Sequence, residues 1–365
     1  MEMLTQKNNS VPCPRLMALF QKRIEGDDTL LHLANLRFKE AALGTEFYAD
    51  TPVELDWLLR FRPTPETAAA VHLSRGINLF EEESVKLIMD FAKSFKDQVF
   101  GIVIHDQIEI ATRFDDYLAA LRKIESRLKE VEGRPYLFIE YAVGLEPELF
   151  IELFKAILDL RRVSACVDIG HIGLWQARSV YSGKHAKDVC AMTPHDAELP
   201  KVIEDVQGAV RSALDAVLDV IQVLGHLGKP LHFHLHDAHP LSTFSLFGIS
   251  DHLSFLDEIP IPFEYKGKKS LHPMFGPLGL LRVITESLQL LGPDRVSFSL
   301  EIHPTEGRLP LGNASYLFNH WKDKGNAERM NCWLSVLLRN HQLVLEACKK
   351  SLANHMDNAM KSLQK

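Results

Sequence analysis

The sequence predicts an α/β protein: a (β/α)8 TIM barrel forming a single domain over residues 1–365. Three observations carry that prediction. Short apolar, β-branched runs alternate with amphipathic helices along most of the chain, which implies βα units and a parallel sheet buried on both faces. Eight such units fit a closed barrel better than an open sheet. No G-x-G-x-x-G fingerprint follows the first strand, which weighs against a dinucleotide-binding fold.

Residues 1–14 read as a polar, Pro-containing N-terminal arm, and residues 15–21 as the first strand. Leu30, Leu33, Ala34 and Leu36 fall near helical spacing within residues 29–42. Residues 44–48 form the second strand, and Thr51-Pro52-x-Glu54 then starts a helix with Pro in its first turn. The run 68–73 contains His72 and precedes the acidic helix start at 81–84. The run 100–104 ends at His105, before a helix marked by Phe114, Leu118, Leu121, Ile124 and Leu128. Residues 136–139 run into Glu140, ahead of a helix marked by Phe150, Leu153, Ile157 and Leu158. Residues 164–167 run into Asp168, and a long helical region at about 201–227 leads to the seventh strand. Residues 296–300 run into Glu301.

Two stretches break the rhythm. Residues 240–270 form a long loop after the seventh strand, ending in Lys266-Gly267-Lys268-Lys269, and loops of that length act as lids or binding loops. Residues 310–365 supply the last barrel helix and a helical C-terminal extension, with Trp321, Trp333, Leu334, Leu337 and Leu338 as packing positions.

Composition narrows the function classes. A net charge of −7 gives no support to non-specific nucleic-acid binding. The five scattered cysteines include no C-x-x-C pair, so they point to a reducing compartment and not to a disulfide frame. The N-terminus has no apolar leader segment and no run reaches membrane-spanning length, so the expectation is a cytoplasmic protein with no membrane partner. Homo-oligomer contacts through the C-terminal helices stay open.

The organising stretch is LHFHLHDAHP at 231–240. On a strand, His232, His234 and His236 share one face, and burying three imidazoles there is costly unless something binds them. His234 is the predicted ligand, with His232 and His236 supporting it. Strand after strand ends in a metal-competent residue: His72, His105, Glu140, Asp168, His234 and Glu301. Barrel enzymes build their sites at the C-terminal strand ends, so these residues converge on one cavity. Buried carboxylates need a cation or several donors to stay ionised, which favours a bound divalent metal. Asp168-Ile-Gly-His171 adds a further histidine one short turn on, while His239, His252 and His303 read as surface or supporting residues.

With these motifs the sequence resembles the xylose-isomerase-like barrel superfamily over residues 43–301. IEYAVG carries the family's glutamate at Glu140, CVDIGH its D-x-x-H at Asp168 and His171, HLHD its H-x-x-D at His234 and Asp237, and SLEIHP its closing glutamate at Glu301. The resemblance implies a metal centre of Glu140, Asp168, His234 and Glu301. Further stretches resemble the endonuclease IV branch: VHLSRGINL with His72, IVIHDQ with His105, and LHPMFGPLG with His272 and Gly276. Ser270 stands where that branch carries an aspartate, Gly279 falls one residue late, and Arg75 replaces an aromatic residue that enters DNA.

The first function implied is a sugar or sugar-phosphate isomerase or epimerase using one or two divalent ions (Zn, Mn, Co or Mg). Glu140 and Glu301 would pass a proton across the substrate carbon, with His171 orienting an oxygen. His272, Arg75 and Arg178 fall on the substrate side, and Arg178 or the 266–269 loop would bind a phosphate. The partner is then a small carbohydrate or phosphate-bearing molecule, not nucleic acid. The alternative is a two-metal phosphoesterase resembling endonuclease IV. A non-enzymatic relic is disfavoured by the intact ligand set. Three ions are not expected, because Ser270 supplies no anionic ligand.

Overall fold

The computed structural model describes residues 13–20, 28–62, 64–132, 135–192, 196–242, 252–265, 267–302 and 327–363. Its strands are β1 (Arg15–Phe20), β2 (Gly44–Tyr48), β3 (Ala69–His72), β4 (Gly101–His105), β5 (Tyr136–Glu140), β6 (Val163–Asp168) and β7 (Leu231–Leu235), then β8 (Ile259–Tyr265), β9 (Lys268–Leu271) and β10 (Val296–Leu300). β1 to β7 and β10 close into an eight-stranded parallel barrel, with β10 seated between β7 and β1. The fold is therefore the predicted (β/α)8 barrel. β8 and β9 form a separate antiparallel hairpin within the long loop after β7.

The helices α1 (Asp28–Glu40), α2 (Pro52–Leu58), α3 (Glu82–Ser94), α4 (Phe114–Leu128) and α5 (Pro147–Ala156) each link consecutive strands. At α2 the predicted start is a reciprocal cap. Thr51 Oγ1 accepts from the Glu54 N–H at 3.2 Å, and Glu54 Oε2 accepts from the Asp50 N–H at 2.6 Å. Three helices, α6 (Ile169–Ser182), α7 (Leu199–Val210) and α8 (Ala213–His226), lie between β6 and β7. The single helical region expected at 201–227 is thus divided. The division falls where the Ser212 hydroxyl donates to the Ala209 carbonyl at 2.8 Å, a local bond that competes with a continuous ladder.

α9 (Gly276–Leu291) precedes β10, and α10 (Ala327–Leu363) packs against both α9 and α1. α10 thereby takes the place of the eighth barrel helix. Trp333 anchors it by donating from Nε1 to the Ile302 carbonyl at 2.9 Å. Among the described residues, no helix is long and apolar enough to cross a membrane. Residues 1–12 of the expected arm, Lys266, His303 and Trp321 lie outside the described residues.

Strand register positions the site. His105 lies opposite Glu140 across β4 and β5, and Asp168 lies opposite His234 across β6 and β7. Tyr48 faces His72 across β2 and β3, and Ser299 faces His234 across β10 and β7. Parallel pairing at matched heights sets these side chains on one level of one barrel mouth.

Candidate metal centre

The six residues predicted to bind metal do converge. They form two ligand groups, His72–His105–Glu140 and Glu140–Asp168–His234–Glu301, and in each the ligand atoms lie within 4.8 Å of one another. A third group at the same spacing joins Asp168, His171, His236 and His252. Glu140 belongs to the first two groups and Asp168 to the last two.

Hydrogen bonds on the far side of each imidazole fix what it presents to the cavity. His72 Nδ1–H donates to the Leu73 carbonyl at 2.8 Å, His236 Nδ1–H to the Asp237 carbonyl at 3.0 Å, and His171 Nδ1–H to the Tyr141 carbonyl at 3.3 Å. A carbonyl only accepts, so Nδ1 carries the proton and Nε2 turns inward, the outer-shell arrangement that metal-binding histidines use. His171 Nε2 is buried with no hydrogen-bond partner among the described residues. His234 is held the other way round. Its Nε2–H donates to Glu46 Oε1 at 3.0 Å, and its Nδ1 faces Glu301 Oε2 at 3.1 Å. Imidazole nitrogens and shared carboxylates on a closed, buried rim fit divalent cations.

Glu46, on β2, is fully buried beneath this rim. It also accepts from His232 Nε2–H at 2.9 Å and from the Ser299 hydroxyl. His232 Nδ1 in turn accepts from the Ser297 hydroxyl at 2.8 Å. Glu46 also lies within ligand spacing of His72 and His234, but both its oxygens are engaged by these hydrogen bonds, a placement that suits support of the ligands. Cys166 also sits near His232 and His234. Burial pushes its thiol up, so it is protonated in the metal-free protein.

Charges in the site are strongly coupled. Burial would raise the Glu140 carboxyl, but His105, His234 and His72 override it and hold it well below the usual range. Burial would depress His236, yet Asp168, at 2.9 and 3.1 Å from its Nε2, lifts it to about 9. Burial would depress His234, but the surrounding carboxylates of Glu46, Glu140 and Glu301 raise it well above its ordinary value. Burial drives His105 down to about 4, so it is neutral. Protons on His234 and His236 therefore occupy the places a cation would take, and metal affinity should rise with pH.

Several sequence-based readings need correction. His272 is 64% exposed and pairs with Glu258 at 3.4 Å, outside all three groups. His252 and His236, read as supporting residues, instead face Asp168 and His171, with the His236 and His252 ring centroids 4.2 Å apart. The loop is drawn in by Asp237 and Leu253, which exchange backbone hydrogen bonds of 2.7 and 2.8 Å. His252 itself sits at φ 45°, a left-handed conformation costly for a non-glycine residue. Ser254 and Phe255 are tied to Asn340 on α10, which holds the loop down. His239 is buried, its Nδ1 accepting from the Leu241 N–H and its Nε2 facing the Gln207 amide. The side chains of Ser270, Lys268 and Lys269 are outside the described residues.

A pocket of about 290 Å³ opens onto the centre, lined by Arg75, His105, Asp106, Ile108, Val143 and His171. Arg75 stands exposed at its mouth. Asp106 shapes the wall, its Oδ1 accepting from the Ala142 and Val143 N–H groups that follow Glu140. Arg178 is not in this pocket and is held by Asp188 at 2.6 Å. Two groups on β2 to which the sequence reading gave no role are the buried Glu46 and the half-buried Tyr48. The Tyr48 hydroxyl lies 3.4 Å from Glu301 Oε1.

Gly170, in the turn between Asp168 and His171, makes room for a neighbouring ring. Asp168 ends β6 and caps α6, accepting from the His171 N–H at 2.8 Å. This turn lays Gly170 against the His236 ring, where an added Cβ would meet Cε1 at 2.0 Å. Gly170→Ala should cost about 1–3 kcal/mol and displace His236. Urea denaturation and zinc content measured together test this, and wild-type values of both would refute it.

No family model matches the chain, and no curated protein matches it.

Proposed function

We propose that the protein is a metal-dependent hydrolase of small phosphate esters. The observation that carries this reading is the double engagement of Glu140. His72 and His105 both approach its Oε2, at 2.7 and 3.4 Å, while its Oε1 faces His234 Nδ1 at 3.6 Å. A carboxylate so placed could be shared by two cations, as a two-cation phosphoryl site would require. Divalent cations held there would supply Lewis acidity towards a phosphoryl oxygen and make water a stronger acid. Imidazole-rich groups suit zinc, cobalt or manganese better than magnesium.

The chain's own residues supply the remaining functions. Arg75 places positive charge at the pocket mouth, where an anionic substrate enters. Burial, reinforced by Glu301 and Glu140, raises the Tyr48 phenol and keeps it protonated. It is thus a hydrogen-bond donor suited to a leaving oxygen. The net charge of −7 favours a small ester over a nucleic acid. The resemblance of His72 and His105 to the endonuclease IV branch supports the same chemistry.

Proton transfer by a sugar isomerase or epimerase is the second reading. It is favoured by Glu140 and Glu301 sharing the middle group, since two facing carboxylates can pass a proton across a carbon. It ranks second because it gives His72 and His105 no role. Protein loaded with zinc or manganese should release nitrophenolate from p-nitrophenyl phosphate or its bis-ester. Asp168→Ala and His234→Ala should abolish that release and lower metal content. Solvent deuterium entering an aldose or ketose, with no nitrophenolate released, would establish the isomerase reading instead.

The third group bears on ion count. The expectation of no third ion rested on Ser270, but Asp168 supplies a carboxylate there beside three imidazoles. His252→Ala should lower zinc content at saturation by one ion per chain. That ion should be the first lost to a chelator, because Asp168 is shared with the middle group. Unchanged content in the variant would show that the third group binds nothing.

A further inference from the structure

Beyond the metal pocket, a groove of about 510 Å³ runs along the exposed side of α6, lined by Trp175, Arg178, Ser179, Ser182 and Asp188. It shares Ile108 and Val143 with the 290 Å³ pocket as common walls, so one molecule can span both. We propose that this groove is a second subsite, which takes an uncharged polyhydroxylated ring, a glycosyl unit, of a substrate whose phosphoryl end lies at the metal centre. The proposal rests on the phosphate-ester reading for the placement of that end.

Charge bookkeeping selects the ligand class. Arg178 is engaged by Asp188 through two bonds, Nη2 at 2.6 Å and Nε at 3.3 Å. Lys184 pairs with Asp205 at 3.2 Å and Lys187 with Asp196 at 2.9 Å, so the cations following along this side also face carboxylates. A second phosphate would have to break such a pair. A neutral ring would not. Trp175 is half-buried, and Ile108, 57% exposed, stands on the wall shared with the metal pocket. An indole with flanking aliphatic surface suits the C–H face of a sugar ring, while the Ser179 and Ser182 hydroxyls suit its O–H groups. The inner and outer spaces together fall in the ordinary range of small-ligand sites.

The test is calorimetric binding to zinc-loaded protein of methyl phosphate, glucose 1-phosphate, adenosine monophosphate and cellobiose. Glucose 1-phosphate should bind about tenfold more tightly than methyl phosphate, the increment expected of one ring stacked on an aromatic residue. Trp175→Ala should erase that difference and leave methyl phosphate unchanged. Ser179→Trp, which fills the groove from an exposed position, should do the same without removing packing beneath α6. Equal loss for both ligands, or no loss in either variant, overturns the subsite. Tighter, Trp175-dependent binding of adenosine monophosphate overturns the ligand class. If cellobiose binds in a Trp175-dependent way and no phosphate ester binds, the subsite stands and the phosphate-ester reading falls. Absence of binding by all four probes overturns the proposal.

Discussion

Glutamine in place of Glu140 is expected to leave the barrel folded while removing tight metal binding and hydrolysis together. Glu140 is shared by the first and middle ligand groups. An amide keeps its volume and can still accept a hydrogen bond from His72. It carries no charge, however, and would hold a pair of cations far less well. Under the two-cation reading this would remove several kcal/mol of transition-state stabilisation, roughly a thousandfold or more in rate. The strands on either side keep their pairing, since β5 is paired with β4 and β6 through backbone bonds that the substitution leaves alone. Circular dichroism, elemental analysis and nitrophenolate release on one preparation would separate the effects. Wild-type metal content with a rate within about tenfold of the parent would sink the two-cation reading.

The barrel was legible because its signal is repeated. Each apolar run followed by an amphipathic helix states the same βα unit, and a carboxylate or imidazole at one strand end gains meaning from those at the others. Hence His72, His105, Glu140, Asp168, His234 and Glu301 could be singled out from their places at strand ends, with the resemblance to known motifs implying them as ligands, and the structure brings all six to one rim. His252 could not. It lies on a long loop with no period, and its place depends on a backbone bridge between Asp237 and Leu253 and on Asn340, some ninety positions on, holding Phe255 (N–H to Oδ1, 3.1 Å). His272 looked equivalent only because its local motif matched, and nothing in the sequence records that the β8–β9 hairpin carries it to the surface. Glu46 left a fainter trace. It is a carboxylate between Thr45 and Phe47 in a strand whose other side chains are apolar, β-branched or aromatic, on the same face as Tyr48. A charge in that setting implies a partner, but only tertiary structure shows which one.

That partner is the basis of the second large effect. Glu46 accepts from His232, His234 and Ser299 in a layer where all four side chains are fully buried. Accepting the Nε2–H of His234 leaves Nδ1 to face Glu301 and the cavity, so Glu46 is the residue that sets which nitrogen His234 presents. Burial alone would raise the Glu46 carboxyl, but His234 and His232 hold it well below the usual range, so it is ionised at neutral pH. Glu46→Gln removes the charge and replaces one acceptor with a donor. The new N–H then competes for an imidazole lone pair, and His234 is free to turn Nδ1–H towards the cavity. Metal affinity should fall about 10- to 100-fold, as for other outer-shell partners of ligating histidines. Glu46→Ala leaves the two imidazoles without their counter-charge and opens a cavity, so it should also cost about 3–5 kcal/mol of stability in metal-free protein. Chelator competition reads the first effect and urea denaturation of the metal-free form reads the second. Glu46→Gln with wild-type zinc affinity would show that His234 is oriented by the barrel packing alone, and Glu46 would then be a structural charge with no hold on the metal.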